Sequence, residues 1–345
     1  LNRDMESCGH FETERRKGMV LPNEPRDTTG GYLLERDVAE KFRLEISGFY
    51  TETLKDLYTV KQPAYASEAQ VDYISGLVNG MERAVAAADG VDPQNGMQYT
   101  DYIDLRSFAQ KYIIEELCKN NGAGATSSFF YKPQDAVSKK LFAGPVWDYD
   151  KAYANLDGIN ESTGDLCYLM QRGTDPTTLF WHLYQHSSFQ ETVSACYEEF
   201  FSDYMQTMQE EKIDEYVSEI HAAKDMDLIR WKEIYGEPVD YEGEVQRIRD
   251  FLSARKPFLD KVWKERQEIC TVSFVSEDGA IHNYMSVLKG ERLERMPGAE
   301  PGTVSGDRVF DGWYTEDGIR IDETTPVSED VTIYARSSEV TGTAD

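Results

Sequence analysis

Lys140 to Asn155 reads KLFAGPVWDYDKAYAN, and this stretch decides how the chain is organised. Leu141, Phe142, Ala143, Val146 and Trp147 form an apolar run broken by Gly144 and Pro145. That is the pattern of a buried strand near its end. Asp148 and Asp150 follow at once, two residues apart. On an extended backbone their side chains share a face. Two carboxylates on one face repel unless a cation or a donor lies between them. A hard divalent ion such as Mg²⁺ satisfies both, and it also takes waters and substrate phosphates. The plainer reading is a strand end with Asp in the turn, where Asp is common.

Working outward, Ser127 to Lys132 (SSFFYK) reads as a strand and Pro133 to Ser138 as the turn back. The two strands make a hairpin, with the carboxylates just past its second arm. Before the hairpin, Asp104 is a good N-cap for a helix with Leu105, Phe108, Tyr112, Ile113 and Leu117 on one face. Lys119-Asn120-Asn121-Gly122 ends that helix. Ser67 and Gln70 fit a capping box, and Val71, Ile74, Val78, Met81 and Val85 then recur at helical spacing. Earlier still, Gly31 to Glu35 reads as a short strand, and Phe42 to Ile46 alternates as if to pair with it. Tyr58 to Tyr65 reads as an extended connector, and residues 1–29 as a polar, loop-rich entry.

Downstream, Thr177 to Lys264 is mostly helical in pattern. Phe180, Trp181, Leu183, Tyr184, Val193, Tyr197, Phe200, Phe201, Tyr204 and Met208 stand at core spacing. A last helix over about Tyr241 to Glu265 places Val245, Ile248, Phe251, Leu252, Phe258, Leu259, Val262 and Trp263 inward. The period changes at Cys270. Thr271 to Val275, Ile281 to Leu288, Phe310 to Tyr314 and Val331 to Ala335 read as strands, with Glu277-Asp278-Gly279 a turn. These changes divide the 345 residues into an N-terminal segment (1–30), an α/β domain (31–266) and a β-rich module (270–338).

The chain carries 63 acidic and 36 basic residues, a net charge of -27. Nucleic acid is excluded as a partner, because a phosphate backbone needs a basic footprint. No apolar run reaches the roughly 18 residues that cross a bilayer. The sequence begins at Leu1, with no leader in view, and reads as a piece of a longer precursor. The five cysteines are dispersed without a CxxC, which argues for free core thiols over a disulfide framework or a zinc site. His182 and His186 have the i, i+4 spacing of a metal pair, but no third ligand accompanies them. Asp225, Asp227, Glu210, Glu211 and Glu215 read as solvated helix faces.

GPVWDYDKAYAN resembles the signature of the CotH kinase family, the spore-coat-protein-H-like atypical kinases of bacteria. Gly31 to Glu35, Tyr65-Ala66-Ser67 with its helix, Asp101 to Asp104, and Phe129 to Lys132 resemble further family segments, so the likeness covers about residues 28–265. The tail is similar to the Listeria–Bacteroides repeat, or internalin B-repeat, through Val272-Ser273-Phe274, Phe310 to Tyr314, Thr325-Pro326-Val327 and Val331 to Ala335. Together the likenesses imply an α+β chain: a protein-kinase-like domain, mainly large lobe and rich in helices, then a small β-grasp-like module. They also imply a secreted or cell-surface bacterial protein. For the kinase part they imply Mg²⁺ and ATP as cofactors, held at Asp148 with Asp150 beside it, and a protein substrate or partner.

Carried onto this chain, the kinase pattern puts the catalytic-loop Asp at Gly122 and the metal Asn at Ser127. Glycine accepts no proton, and a serine hydroxyl is a weak, neutral metal ligand. No glycine-rich loop with a phosphate lysine stands out before Gly31, where Lys17 is the only lysine. Three functions therefore stay open: a degenerate kinase-like scaffold with a residual metal or nucleotide site, an active Ser/Thr kinase with relocated groups, and a non-catalytic adhesion or structural protein.

Overall fold

A computed structural model describes residues 27–120, 126–155, 162–166, 178–235, 240–298, 301–305 and 307–339. Contacts divide the chain into two units. One is Leu1–Glu116, Asn120–Asp150 and Tyr168–Val193, and the other is Leu117–Lys119, Lys151–Cys167 and Ser194–Asp345.

In the first unit, strands β1 (Tyr32–Asp37), β2 (Gly48–Tyr50), β3 (Leu57–Gln62), β4 (Ser128–Lys132) and β5 (Phe142–Ala143) form one antiparallel sheet in the order β2-β3-β1-β4-β5. Leu34 of β1 sits between Val60 of β3 and Phe130 of β4. The partner of β1 on this side is thus not Phe42–Ile46. Phe42 closes a single helical turn, α1 (Ala39–Phe42), and Leu44 is 81% exposed. The stretch read as a connector is β3 itself. Leu57, Tyr58, Thr59 and Val60 are all buried, so the alternation that marks a half-buried strand is missing there.

Helix α2 (Glu68–Ala86) starts as its capping box requires. Gln70 N donates to Ser67 Oγ at 3.3 Å, and Ser67 N donates to Gln70 Oε1 at 2.9 Å. Val71, Ile74, Val78, Met81 and Val85 are buried. After a short turn α3 (Tyr99–Tyr102), Asp104 Oδ1 accepts from Ser107 N at 2.9 Å and opens α4 (Leu105–Cys118). Phe108 of α4 stacks on Phe130 of β4 at 5.5 Å, and Tyr112 stacks on Phe180 of α5 (Leu179–Tyr184) at 5.9 Å. These rings tie the sheet to the helices.

The second unit continues from the end of α6 (Ser187–Cys196) through α7 (Ser202–Thr207), α8 (Ile213–Arg230), α9 (Lys232–Tyr235) and α10 (Tyr241–Leu259). Wide-turned helical stretches run over Tyr197–Phe201, Met208–Lys212 and Asp260–Lys264. The first changes the period of the buried side. Tyr197, Phe201 and Met205, four apart, are buried, while Phe200 and Tyr204 are exposed and stack on each other at 5.1 Å. The two residues expected in the core face outward because a π-turn holds more residues per turn than an α-turn. Phe251, Leu252, Phe258, Leu259, Val262 and Trp263 are buried as their spacing demands.

From Ile269 a second sheet begins. Strands β6 (Ile269–Val275), β7 (Ile281–Leu288), β8 (Val304–Ser305), β9 (Arg308–Tyr314), β10 (Arg320–Ile321) and β11 (Val331–Glu339) take the order β10-β9-β11-β6-β7, with β8 on β9. β11 and β6 are parallel, and the other pairs are antiparallel. Val272, Phe274, Met285, Val287, Trp313 and Ile333 form its core. Among the described residues no helix is long and apolar enough to cross a membrane. Cys118, Cys196 and Cys270 are buried thiols; Cys8 and Cys167 lie outside the described residues.

Candidate functional site

Strand β5 is stitched to the start of α4. Leu141 N donates to Tyr102 O at 2.8 Å, Asp104 N donates to Leu141 O at 2.8 Å, and Ala143 N donates to Ser107 Oγ at 3.1 Å. Pairing with β4 is real but short: Phe130 faces Ala143, Tyr131 faces Phe142, and Gly144 N still donates to Phe129 O at 2.8 Å. There the ladder stops. Gly144 has φ +129°, open to glycine alone, and Pro145 has no N–H. Val146 and Trp147, expected in a buried strand, are therefore exposed. Trp147 is 60% exposed, and its ring meets Phe129 edge-on at 6.0 Å.

The two carboxylates follow in a backbone that is not extended. Asp148 has φ +67°, in the left-handed region, so strand alternation does not place Asp148 and Asp150 on one face. Both are exposed. Asp148 Oδ2 accepts from Ser127 Oγ at 3.2 Å, and buried Ser127 is itself left-handed at φ +58°. Ser127 and Asp148, twenty-one residues apart, are thus brought together at the mouth of the hairpin.

Three neighbours of Ser127 escaped the sequence reading. Asp37 ends β1 and is 5% exposed. Its Oδ1 accepts from Val38 N at 2.9 Å and from Thr126 Oγ1 at 3.1 Å. Lys41 Nζ donates to Thr126 Oγ1 at 3.3 Å. Asp37 Oδ2 is buried without a hydrogen-bond partner among the described residues. The available signal was weak: Asp37 closes the strand run YLLERD, but Glu35 and Arg36 separate it from the apolar residues.

Other candidates fall away. His186 Nε2 lies 2.9 Å from Val85 O with its ring stacked on Tyr99, and His182 lies edge-on to Trp181. Asp225, Asp227, Glu210, Glu211 and Glu215 are exposed. Gly122 and most of residues 1–30 lie outside the described residues. Among the described residues no group of three or more His, Cys, Asp or Glu side chains gathers to hold a metal by itself. The donors at the hairpin mouth are hard oxygens, an exposed carboxylate steadied by a hydroxyl. That set fits a Mg²⁺-type ion arriving with phosphates, which needs only one or two protein carboxylates.

The family model described as CotH kinase protein matches residues 10–259, well over half of the chain. The chain belongs to the CotH kinase family. The match takes in both Ser127 and Asp148 and ends in the last turn of α10, so the second sheet lies beyond the CotH part. No curated protein matches the chain.

Proposed function

We propose that this CotH-family protein is a degenerate kinase-like scaffold of a bacterial surface that keeps a residual metal-nucleotide site at Asp148. The observation that carries the reading is the Ser127–Asp148 hydrogen bond. The position where the kinase pattern expects a second metal ligand holds a hydroxyl, and that hydroxyl donates to the first ligand. Ser127 then serves to orient Asp148. Asp148, with Asp150 beside it in sequence, holds the ion, and a bound ion supplies charge neutralisation at the phosphates. With Gly122 at the place of the proton-accepting Asp, transfer to a protein hydroxyl lacks its base, a loss of about 10²–10⁴-fold.

The finer architecture belongs to the same proposal. The β1–β5 sheet with α2 to α6 corresponds to a kinase large lobe, and residues 270–338 form a separate β-grasp-like module of the Listeria–Bacteroides type that binds or spaces a partner protein. Thermal unfolding with Mn²⁺ and ATP tests the site: stabilisation in the wild type that disappears in Asp148→Ala is expected, and equal curves refute it. Incubation with labelled ATP and a generic acceptor protein tests the degeneracy. Transfer that vanishes in Asp148→Ala would make the protein an active kinase.

A further inference from the structure

Asp37 is a buried acid with one oxygen to spare. It closes β1, one position past Arg36, and Arg36 faces Ser128 of β4. Carried one step further, that antiparallel register sets Asp37 across from Ser127, the residue whose hydroxyl holds Asp148. All of these residues belong to the first unit. Asp37 Oδ1 is engaged twice, by Val38 N at 2.9 Å and by the Thr126 hydroxyl at 3.1 Å. Asp37 Oδ2 is buried and takes no donor among the described residues. Lys41 Nζ donates to Thr126 Oγ1 at 3.3 Å. A buried acceptor left empty costs its full desolvation. In a native protein such an orphan calls for a catalytic role, a water or an ion.

Two features favour an ion. Consecutive hydroxyls reach two different acids: Thr126 donates to Asp37 and Ser127 to Asp148. On an extended strand consecutive side chains point to opposite faces, but Ser127 stands at φ +58° and breaks that alternation. Asp148, at φ +67°, is a second left-handed residue that bears a Cβ. Such backbone persists only where its surroundings over-determine it, and it clusters at ligand sites. The donor set is also of one kind. A buried carboxylate, an exposed carboxylate and two hydroxyls are hard oxygens, which suit Mg²⁺ or Mn²⁺.

We propose that Asp37 is a second carboxylate ligand of the divalent ion at Asp148, offered through Oδ2. The inference rests on the binding reading above and adds a ligand from β1 that the kinase pattern, with its metal positions at Asp148 and Ser127, does not contain. Asp37 supplies the charge that a neutral serine hydroxyl lacks. Two carboxylates balance the two charges of the ion, Thr126 and Ser127 orient one carboxylate each, and waters and substrate phosphates fill the remaining positions.

The test uses the full chain as wild type, Asp37→Asn and Asp148→Ala. Each protein is melted without metal, and each is titrated with Mn²⁺ in the presence of ATP by calorimetry. Asparagine keeps the shape of Asp37 and its acceptor toward Val38 N and Thr126, but it carries no charge. Asp37→Asn therefore melts at or above the wild type without metal, because a buried charge without a counter-charge is gone. Its Mn²⁺ affinity falls at least about tenfold, the least that even a supporting residue of a metal site is worth. Asp148→Ala loses binding. Wild-type affinity in Asp37→Asn, beside lost binding in Asp148→Ala, overturns the ligand role and leaves the binding reading standing; a water then satisfies Oδ2. Metal-free melting of Asp37→Asn well below the wild type makes Asp37 a structural acceptor and also overturns the ligand role. Identical titrations of wild type and Asp148→Ala sink the binding reading itself, and the role of Asp37 falls with it.

Discussion

Glu82 of α2 is wholly buried, with Leu54 N donating to its Oε2 at 3.1 Å. Burial first, and the nearby Asp56 carboxylate second, push its pKa up to about 8, against the opposing pull of Thr51, Leu54 and Arg36. Asp56 is itself paired with buried Arg36 at 2.6 Å. A folded-state pKa raised above the unfolded value means that the folded protein holds the extra proton. The associated stability is complete below the unfolded value of 4.5 and is lost as pH rises to about 8. The slope of a single such proton is about 1.4 kcal/mol per pH unit. Chemical denaturation of wild type and Glu82→Gln at pH 5, 6.5 and 8 checks this. The wild type weakens relative to the variant as pH rises, and parallel profiles would contradict it. On the reading proposed above, Asp148 acts at the same scale without burial, steadied by the Ser127 hydroxyl, and its alanine variant is expected to lose Mn²⁺-ATP stabilisation while keeping its fold.

Two elements hold the hairpin that presents Asp148. The capping box of α2 satisfies two backbone groups at once, so Ser67→Ala lowers stability by about 1 kcal/mol, read as a lower melting temperature. Gly30 lies where the chain enters β1 and passes the exit of β4. A Cβ there would stand 2.2 Å from Gln134 N and from Pro133 O, both backbone atoms that have no rotamer to yield. Gly30→Ala therefore costs about 1–3 kcal/mol, as overpacking does. A Gly30→Ala protein that melts with the wild type would show that the β4–β5 turn gives way without cost. The hairpin is also where sequence pattern and structure part. Apolar Val146 and Trp147 look like core by composition, but Gly144 and Pro145 end the ladder before them, and among the described residues no strand pairs with them.

At the scale of the molecule, residues 162–166 bond to Ser286 and Glu294, which belong to the C-terminal sheet and the loop after it. A chain ended at Arg266 loses these bonds and melts below the full chain. Residues 268–339, with Val272, Phe274, Trp313 and Ile333 buried around one core, are expected to fold alone and melt cooperatively. Calorimetry of the two pieces checks both statements, and a C-terminal piece without a transition would place the boundary elsewhere. The charge of -27 acts on the whole surface at once, favouring solubility without selecting a partner.

The sequence alone determined what depends on local pattern. The caps at Ser67 and Asp104, the apolar stripe from Val71 to Val85, the change of period at Cys270 and the likeness of the Asp148 stretch to the CotH family all act within a few turns of chain. Tertiary structure decided what depends on who lies opposite. β3 became an inner strand between β1 and β2 with side chains of both its faces buried, although its residues do not alternate. Phe200 and Tyr204 turned outward because a π-turn reset the helix. Ser127 met Asp148, and Thr126 met Asp37, only because the sheet places the end of β1, the start of β4 and the exit of β5 together. The partners of Arg247, Phe251 and Arg255 on α10 were illegible for the same reason. On a helix the three read as one more amphipathic face, and only the chain laid against them shows that the two arginines hold the carbonyls of Tyr153 and Thr163 while Phe251 meets the Tyr153 ring.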